Sequence, residues 1–211
     1  MVSRSVRGLA TIVLLALTGC AGGTKFVNTW KAPDAAPLSV KPGDLVIAMV
    51  ISKEETQRRT AEDFLSEELR QRGLRPIPSF TLIPTDQVGD REKAAAAIQE
   101  SGAAALFVLR PIAVTNQQTY VPPSYTGGPY GGWGPYYGYG WSAAYSPGYV
   151  VTDEIVQIEI LVFDLRQDKL VWAGMSQTTN PPALEAFMRD LVSAAGDEMA
   201  RMGVIAPLKN G

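Results

Sequence analysis

The sequence lacks histidine altogether, and Cys20 is the only cysteine among its 211 residues. Histidine is the commonest general base and a frequent metal ligand, so its absence excludes nucleophile triads that use it and the common zinc sites. A single cysteine cannot form a disulfide within the chain. Carboxylate chemistry is the main catalytic chemistry left, and neither a metal nor another cofactor is expected.

Charged residues are few and nearly balanced, with 19 Lys and Arg against 21 Asp and Glu, for a net charge of −2. Such a chain offers no basic surface to neutralise phosphates, so we expect no nucleic-acid partner. The scarcity is extreme between Pro111 and Thr152, where the sequence contains no Asp, Glu, Lys or Arg. All eight tyrosines lie inside this uncharged stretch.

The amino terminus resembles a lipoprotein leader. Arg4 and Arg7 precede an apolar run at 9–17 that is too short to span a bilayer, which predicts a cleaved signal peptide at 1–19. Leu17-Thr-Gly-Cys20 resembles the lipobox of bacterial lipoproteins, which implies lipidation of Cys20 with palmitate-type chains. Removal of the leader with its two arginines lowers the net charge to −4. Ala21, where Asp would signal inner-membrane retention, implies the outer membrane of a Gram-negative bacterium, on its periplasmic face.

The remainder divides into a tether and one domain. Residues 20–43 are rich in Gly, Ala and Pro and are predicted to be a lipidated, flexible tether, followed by a single domain at 44–206. Hydrophobic patterning predicts strands at 45–51, 76–83, 104–118, 149–164 and 170–178, and helices at about 52–72, 90–102 and 180–202.

This order predicts an α+β fold: β-α-β-α-β, then a β-hairpin and a C-terminal helix, giving a mixed five-stranded sheet with helices packed on it. The first three strands are expected to be parallel, and the hairpin to add antiparallel pairing. Ser52 with Glu55 forms a capping-box pattern, Asp90 is placed to cap the second helix, and Asn180 followed by Pro181 is placed to cap the third. The third helix carries a full apolar stripe, which predicts a core face.

Short phrases spread along the chain resemble an uncharacterised family of proteobacterial lipoproteins. They are Trp30-Lys-Ala-Pro33, Pro78-Ser-Phe-Thr-Leu-Ile-Pro84, Thr119-Tyr-Val-Pro122, Lys169-Leu-Val-Trp172 and Asn180-Pro181. The order of elements is also similar to that of the amino-terminal domain of the Tol-system translocation protein. These resemblances imply a periplasmic α+β module without an established activity or a catalytic residue.

A low-complexity loop rich in Gly, Tyr and Trp at 120–149 is the candidate functional feature. Three interpretations compete: a mobile insertion, a stacking surface for protein or glycan, and a contact with the lipid interface. The candidate binding residues are Tyr130, Trp133, Tyr136, Tyr137, Tyr139 and Trp141.

Carboxylates supply the rival hypothesis. Asp153, Glu154 and Glu159 lie on one predicted strand, and paired carboxylates can hydrolyse glycans when about 5 to 10 Å apart. Asp164 and Asp168 lack the ligand spacing of a calcium loop, so no metal site is assigned.

Together these patterns predict a non-enzymatic, outer-membrane lipoprotein that acts as a periplasmic binding or assembly module. Its expected partners are the bilayer, through the lipid anchor, and an envelope protein or peptidoglycan. The alternatives are a carboxylate-dependent hydrolase of an envelope glycan and a passive structural lipoprotein.

Overall fold

The computed structural model describes residues 23–34, 36–122 and 149–205. Within these ranges, one mixed six-stranded sheet carries three α-helices, so the predicted α+β class is confirmed and the predicted number of strands is wrong by one. None of the helices in these ranges is long and apolar enough to cross a membrane. The strands are β1 Lys25–Lys31, β2 Leu45–Val50, β3 Arg75–Pro78, β4 Ala105–Val121, β5 Tyr149–Asp164 and β6 Lys169–Thr179; the helices are α1 Glu55–Gln71, α2 Arg91–Glu100 and α3 Leu184–Arg201.

The strand order across the sheet is β1-β6-β5-β4-β2-β3. β2 pairs in parallel with β3 and β4, and the hairpin of β5 and β6 adds antiparallel pairing, both as predicted. The predicted strand at 76–83 is shorter than expected, because β3 ends at Pro78 and a 3₁₀ turn follows at Ser79–Thr81. Helices cover β2 on both faces, which is why adjacent Val46 and Ile47 are both fully buried.

The main core lies between the sheet and helices α1 and α3. Trp172 of β6 is fully buried at its centre and meets Phe26 of β1 edge-to-face, with ring centroids 5.5 Å apart. A smaller cluster around Ile47 and Leu106 lies on the opposite face, where Ile98 of α2 packs against it. The apolar stripe of α3 is confirmed as a core face, with Phe187, Met188, Leu191, Val192, Ala195 and Met199 buried.

Strand β1 corrects the prediction that residues 20–43 form a flexible tether. Residues 25–31 pair antiparallel with β6 and form an edge of the sheet. Phe26 packs on Trp172, and Lys31 Nζ donates hydrogen bonds to the carbonyl oxygens of Met202 and Gly203 at 3.1 and 3.0 Å. A lysine at each end and a bulge after Phe26 obscure the strand pattern in the sequence. The partner strand, β6, lies about 150 residues away in sequence.

Two predicted helix starts have different outcomes. Asp90 caps α2 as predicted, since its carboxylate accepts a hydrogen bond from the backbone N–H of Lys93 at 3.1 Å. The capping box at α1 is wrong, because Ser52 accepts from the N–H of Glu54 and the helix begins at Glu55 without a side-chain cap.

Asn180 does not cap α3, which begins at Leu184 after Ala183. Asn180 instead has a positive φ of 50° and bonds to β5: its Oδ1 accepts from the N–H of Glu154 at 2.9 Å, and its Nδ2 donates to Asp153 at 2.7 Å. Asn180 therefore joins the end of β6 to β5. The predicted cap is wrong because the Asn180 amide forms its hydrogen bonds with groups of β5.

The contact between Glu198 of α3 and strand β1 is expected to weaken at acid pH. Its carboxylate accepts hydrogen bonds from Arg201 and from Thr29 of β1, and these bonds hold the pKa of Glu198 below its usual range. A depressed pKa contributes stability above the unfolded-state pKa, and this contribution is lost as pH falls through the folded-state pKa. We therefore expect the free energy of unfolding to fall less between pH 6 and pH 3 in Glu198→Gln than in the wild type. An equal fall in both proteins would contradict this.

Candidate functional site

β4 and β5 extend far beyond their neighbours in the sheet. β2 pairs with β4 only as far as Leu109, and β6 pairs with β5 only as far as Ile155. The two long strands continue as a ribbon, defined here as residues 112–121 and 149–157, whose base at 155–157 still pairs with β6. In the described part of the chain, its outer half, 116–121 with 149–154, has no strand on either side.

Pro111 marks the point where the ribbon leaves the sheet. Proline has no N–H for the ladder, and the register of β4 against β5 slips between Pro111 and Ala113. A bulge of this kind increases local twist and shifts side chains to the opposite face. On the core face, Leu109 of β4 lies opposite Ile160 before the bulge, and Val114 lies opposite Val156 after it. The core-facing residues of β4 therefore change from odd-numbered to even-numbered positions.

The ribbon changes in chemistry along its length. Its middle carries uncharged polar residues of β4 from Thr115 to Thr119. The ribbon tip, defined as Tyr120, Val121, Tyr149 and Val150, is apolar and aromatic; Tyr120 lies opposite Val150, and Val121 opposite Tyr149. Tyr120, Tyr149 and Val150 are each about 60% exposed. An exposed apolar end of this kind is suited to contacting another surface.

The predicted site residues in the aromatic segment lie outside the described residues, as does Cys20. Both ends of that segment nevertheless join the ribbon tip, because Val121 and Tyr149 are paired. The ribbon therefore joins the segment to the domain at the end of β4 and β5. The predicted binding residues of this segment are Tyr130, Trp133, Tyr136, Tyr137, Tyr139 and Trp141.

The candidate catalytic carboxylates are not brought together. Asp153 and Glu159 share a face of β5 six residues apart, a separation of about 20 Å along a strand, and Glu154 points to the other face. Asp153 accepts a hydrogen bond from Asn180, and Glu159 forms an ion pair with Arg110 at 2.6 Å. This spacing exceeds that of a glycosidase pair.

The two turn aspartates have structural surroundings. Asp164 is buried and accepts hydrogen bonds from the N–H groups of Arg166 and Gln167, while Asp168 adopts a positive φ of 50° in the turn. In the ranges that the structure covers, no group of three or more Asp, Glu, Cys or His side chains is placed to hold a metal ion.

A buried polar network occupies the carboxyl ends of β2 and β3, the edge where open parallel sheets usually bind ligands. Glu62 is completely buried; its Oε1 accepts from Val50 N–H, Arg58 and Ser79 Oγ, and its Oε2 accepts from Phe80 N–H, at 2.6 to 3.2 Å. Protein groups thus satisfy the carboxylate, and this edge holds α1 to the sheet.

A cavity of about 240 Å³ lies between α1, α3 and the sheet. Apolar side chains such as Leu65, Phe107 and Val192 line it, and Arg72 is its single charged lining residue. Arg72 is itself paired with Glu68 at 3.0 Å. The cavity lacks the several convergent polar groups that orient a substrate for reaction.

The sequence patterns did not predict that Tyr120, Tyr149 and Val150 form the tip of a projecting ribbon. The available signal was strand length, because β4 has 17 residues and its neighbour β2 has six. A strand that much longer than its neighbour in the same sheet must extend past it.

Residues 39–195 match a protein family described as Domain of unknown function (DUF4136). No curated protein matches the sequence. Among solved structures, a PelC dodecamer from Paraburkholderia phytofirmans is 12% identical, with 79% of this chain and 95% of that chain covered and a TM-score of 0.42. Lipoprotein GNA1162 from Neisseria meningitidis is 14% identical, with 76% and 99% covered and a TM-score of 0.40.

The chain belongs to the DUF4136 family, since the match covers about three quarters of its length. The predicted membership of an uncharacterised family is thereby confirmed. The similarity to the Tol-system domain stays a prediction.

Proposed function

We propose that this DUF4136 protein is a lipid-anchored envelope protein that works by binding, with the ribbon and the aromatic segment as its contact surface. Cys20 would carry the lipid, and Ala21 would direct the protein to the outer membrane, on its periplasmic face. The partners we propose for this surface are an envelope protein or peptidoglycan, in addition to the bilayer that holds the anchor.

The ribbon is the observation that carries this proposal. The outer half of the ribbon, which has no neighbouring strand among the described residues, gains little stability from the core, yet it keeps β-branched and aromatic side chains exposed at its tip. Tyr and Trp are the residues most enriched at the energetic centres of interfaces. The segment joined to this tip contains six more tyrosines and two tryptophans, with no charged residue.

Binding is proposed in preference to catalysis because of where the carboxylates lie. Asp153 and Glu159 are too far apart to act as a pair, and each is engaged by a neighbouring side chain. Among the described residues that line the apolar cavity, none is a nucleophile or general base.

The test is cosedimentation of the purified full chain, in detergent micelles, with peptidoglycan sacculi, and separately its capture of isolated envelope proteins. The combined change Trp133→Ala and Trp141→Ala, and deletion of 127–141, should each weaken retention about 30-fold or more, since two interface tryptophans contribute at least about 2 kcal/mol.

Trp30→Ala is the matched control, because Trp30 is a half-exposed tryptophan on β1 that lies opposite Ala173, away from the ribbon tip. Its retention should equal that of the wild type. Equal retention of all variants would make the segment a passive insertion. Release of soluble glycan by the wild type and not by Glu159→Gln would favour the hydrolase instead.

A further inference from the structure

The chain between Cys20 and the sheet is short. Thr24 already contacts the domain, because its hydroxyl lies 2.8 Å from that of Thr178 at the end of β6. Only four residue steps separate Cys20 from Thr24, a span of at most about 14 Å. A lipid on Cys20 would therefore keep this corner of the domain close to the bilayer.

The ribbon projects from the same corner. Thr178 lies opposite Val156, which lies opposite Val114, so Thr24 is level with the base of the ribbon. β1 runs antiparallel to β6, so the amino-terminal end of β1 lies toward the same end of the sheet as the ribbon tip. The tip at Tyr149 is seven residues beyond Val156, or about 24 Å.

Sheet twist shortens the distance that the ribbon extends along the direction of β1. The ribbon still extends farther than the chain from Thr24 to Cys20 can span. Neighbouring strands rotate by about 20 to 25°, so β5, two strands from β1, is turned by about 45°. The ribbon then extends about 17 Å along the direction of β1, which exceeds the 14 Å limit for Cys20. The tip consequently reaches at least the level of the anchored residue.

The chemistry of the tip matches the lipid interface. The four tip residues are aromatic or β-branched, and the nearest charged residues along the strand, Asp153 and Glu154, lie three and four residues from Val150, at least about 10 Å away. Interfacial segments bury their apolar face about 5 to 10 Å deep, and tyrosine is enriched at that depth.

From this geometry we infer that the ribbon tip inserts into the interface of the same bilayer that holds Cys20, giving the protein a second membrane contact. The inference rests on the proposed lipid anchor and names the bilayer as the first partner of the proposed contact surface. The ribbon carries no cation at the tip, so this contact depends on apolar burial and is independent of anionic lipid.

The test uses the full lipidated chain in neutral phosphatidylcholine vesicles. Once acylated, Cys20 has no free thiol, so Tyr120→Cys or Val150→Cys can be labelled at a single site with an environment-sensitive fluorophore. Lys169→Cys is the matched control: it is exposed and lies beside Asp164, about 50 Å along β5 from Tyr149. Nitroxide-bearing lipids should quench both tip labels at least about twofold and leave the label at 169 unquenched. Vesicles with one part in about three of anionic lipid should give the same result.

Each remaining outcome overturns the inference, either alone or together with the lipid anchor. Unquenched tip labels at both positions, on a wild type that takes no label, would overturn the inference and leave the lipid anchor and its binding role intact. Quenching at position 169 as well would also overturn it, because the domain would then lie flat on the bilayer. Labelling of the wild type at Cys20 would overturn the anchor and the inference together.

Discussion

Glu62→Gln should lower the free energy of unfolding by about 3 to 5 kcal/mol, the usual cost of removing one partner from a buried ion pair. Glu62 is completely buried, and its carboxylate bonds to Arg58, which is 4% exposed. Neutralising Glu62 leaves the guanidinium without its counter-charge. The new amide also turns an N–H donor toward one of its present donors, such as Phe80 N–H or Ser79 Oγ.

The measurement is chemical denaturation of the full chain, with Glu67→Gln as control. Glu67 lies on the same helix and pairs with Arg70, but both side chains are more than half exposed. An exposed pair contributes at most about 1 kcal/mol, so the control should remain close to the wild type. Similar small losses for both variants would show that the Glu62 network does not hold α1 to the sheet.

Gly174→Ala should destabilise the protein by about 1 to 3 kcal/mol through overpacking. A Cβ at this position would lie 2.4 Å from Cη2 of Trp172 and 2.7 Å from Cε1 of Phe26. The ring of Trp172 cannot move easily, since Trp172 is fully buried and its indole N–H donates to the sulfur of Met202 at 3.3 Å. The expected result is a lower denaturation midpoint together with altered tryptophan fluorescence.

Gly89→Ala provides the control for that substitution. An added Cβ at Gly89 would meet no heavy atom within 4 Å, so its effect on the denaturation midpoint should be small. Equal midpoints for the two variants would mean that β1 and β6 can separate to admit the methyl group. That outcome would contradict a rigid contact between Phe26 and Trp172.

Several elements were predictable because their signals are local. The apolar run of β2 and the alternation in β5 predicted strands, and the residues around Asp90 predicted a capped helix. Each depends on residues within a few positions of one another. Hydrophobic period and capping chemistry are sufficient to identify such elements.

The failures share a different cause. β1 gains its stability from β6 and from the buried ring of Trp172, so its own residues show little strand pattern. Asn180 follows the usual pattern for a helix cap, but it bonds to Asp153 and Glu154 across the hairpin. In both cases partners distant in sequence decide the local structure.

The sequence by itself determined the fold class, the parallel and antiparallel halves of the sheet, and an uncharged aromatic segment set between two strands. It also supplied the lipobox-like motif from which the anchor is proposed. Only the tertiary structure decided how far the ribbon extends past β2 and β6, and that it projects from the corner where the chain enters the sheet. Strand registers and relative strand lengths fix these distances, and they arise from pairing between residues far apart in sequence.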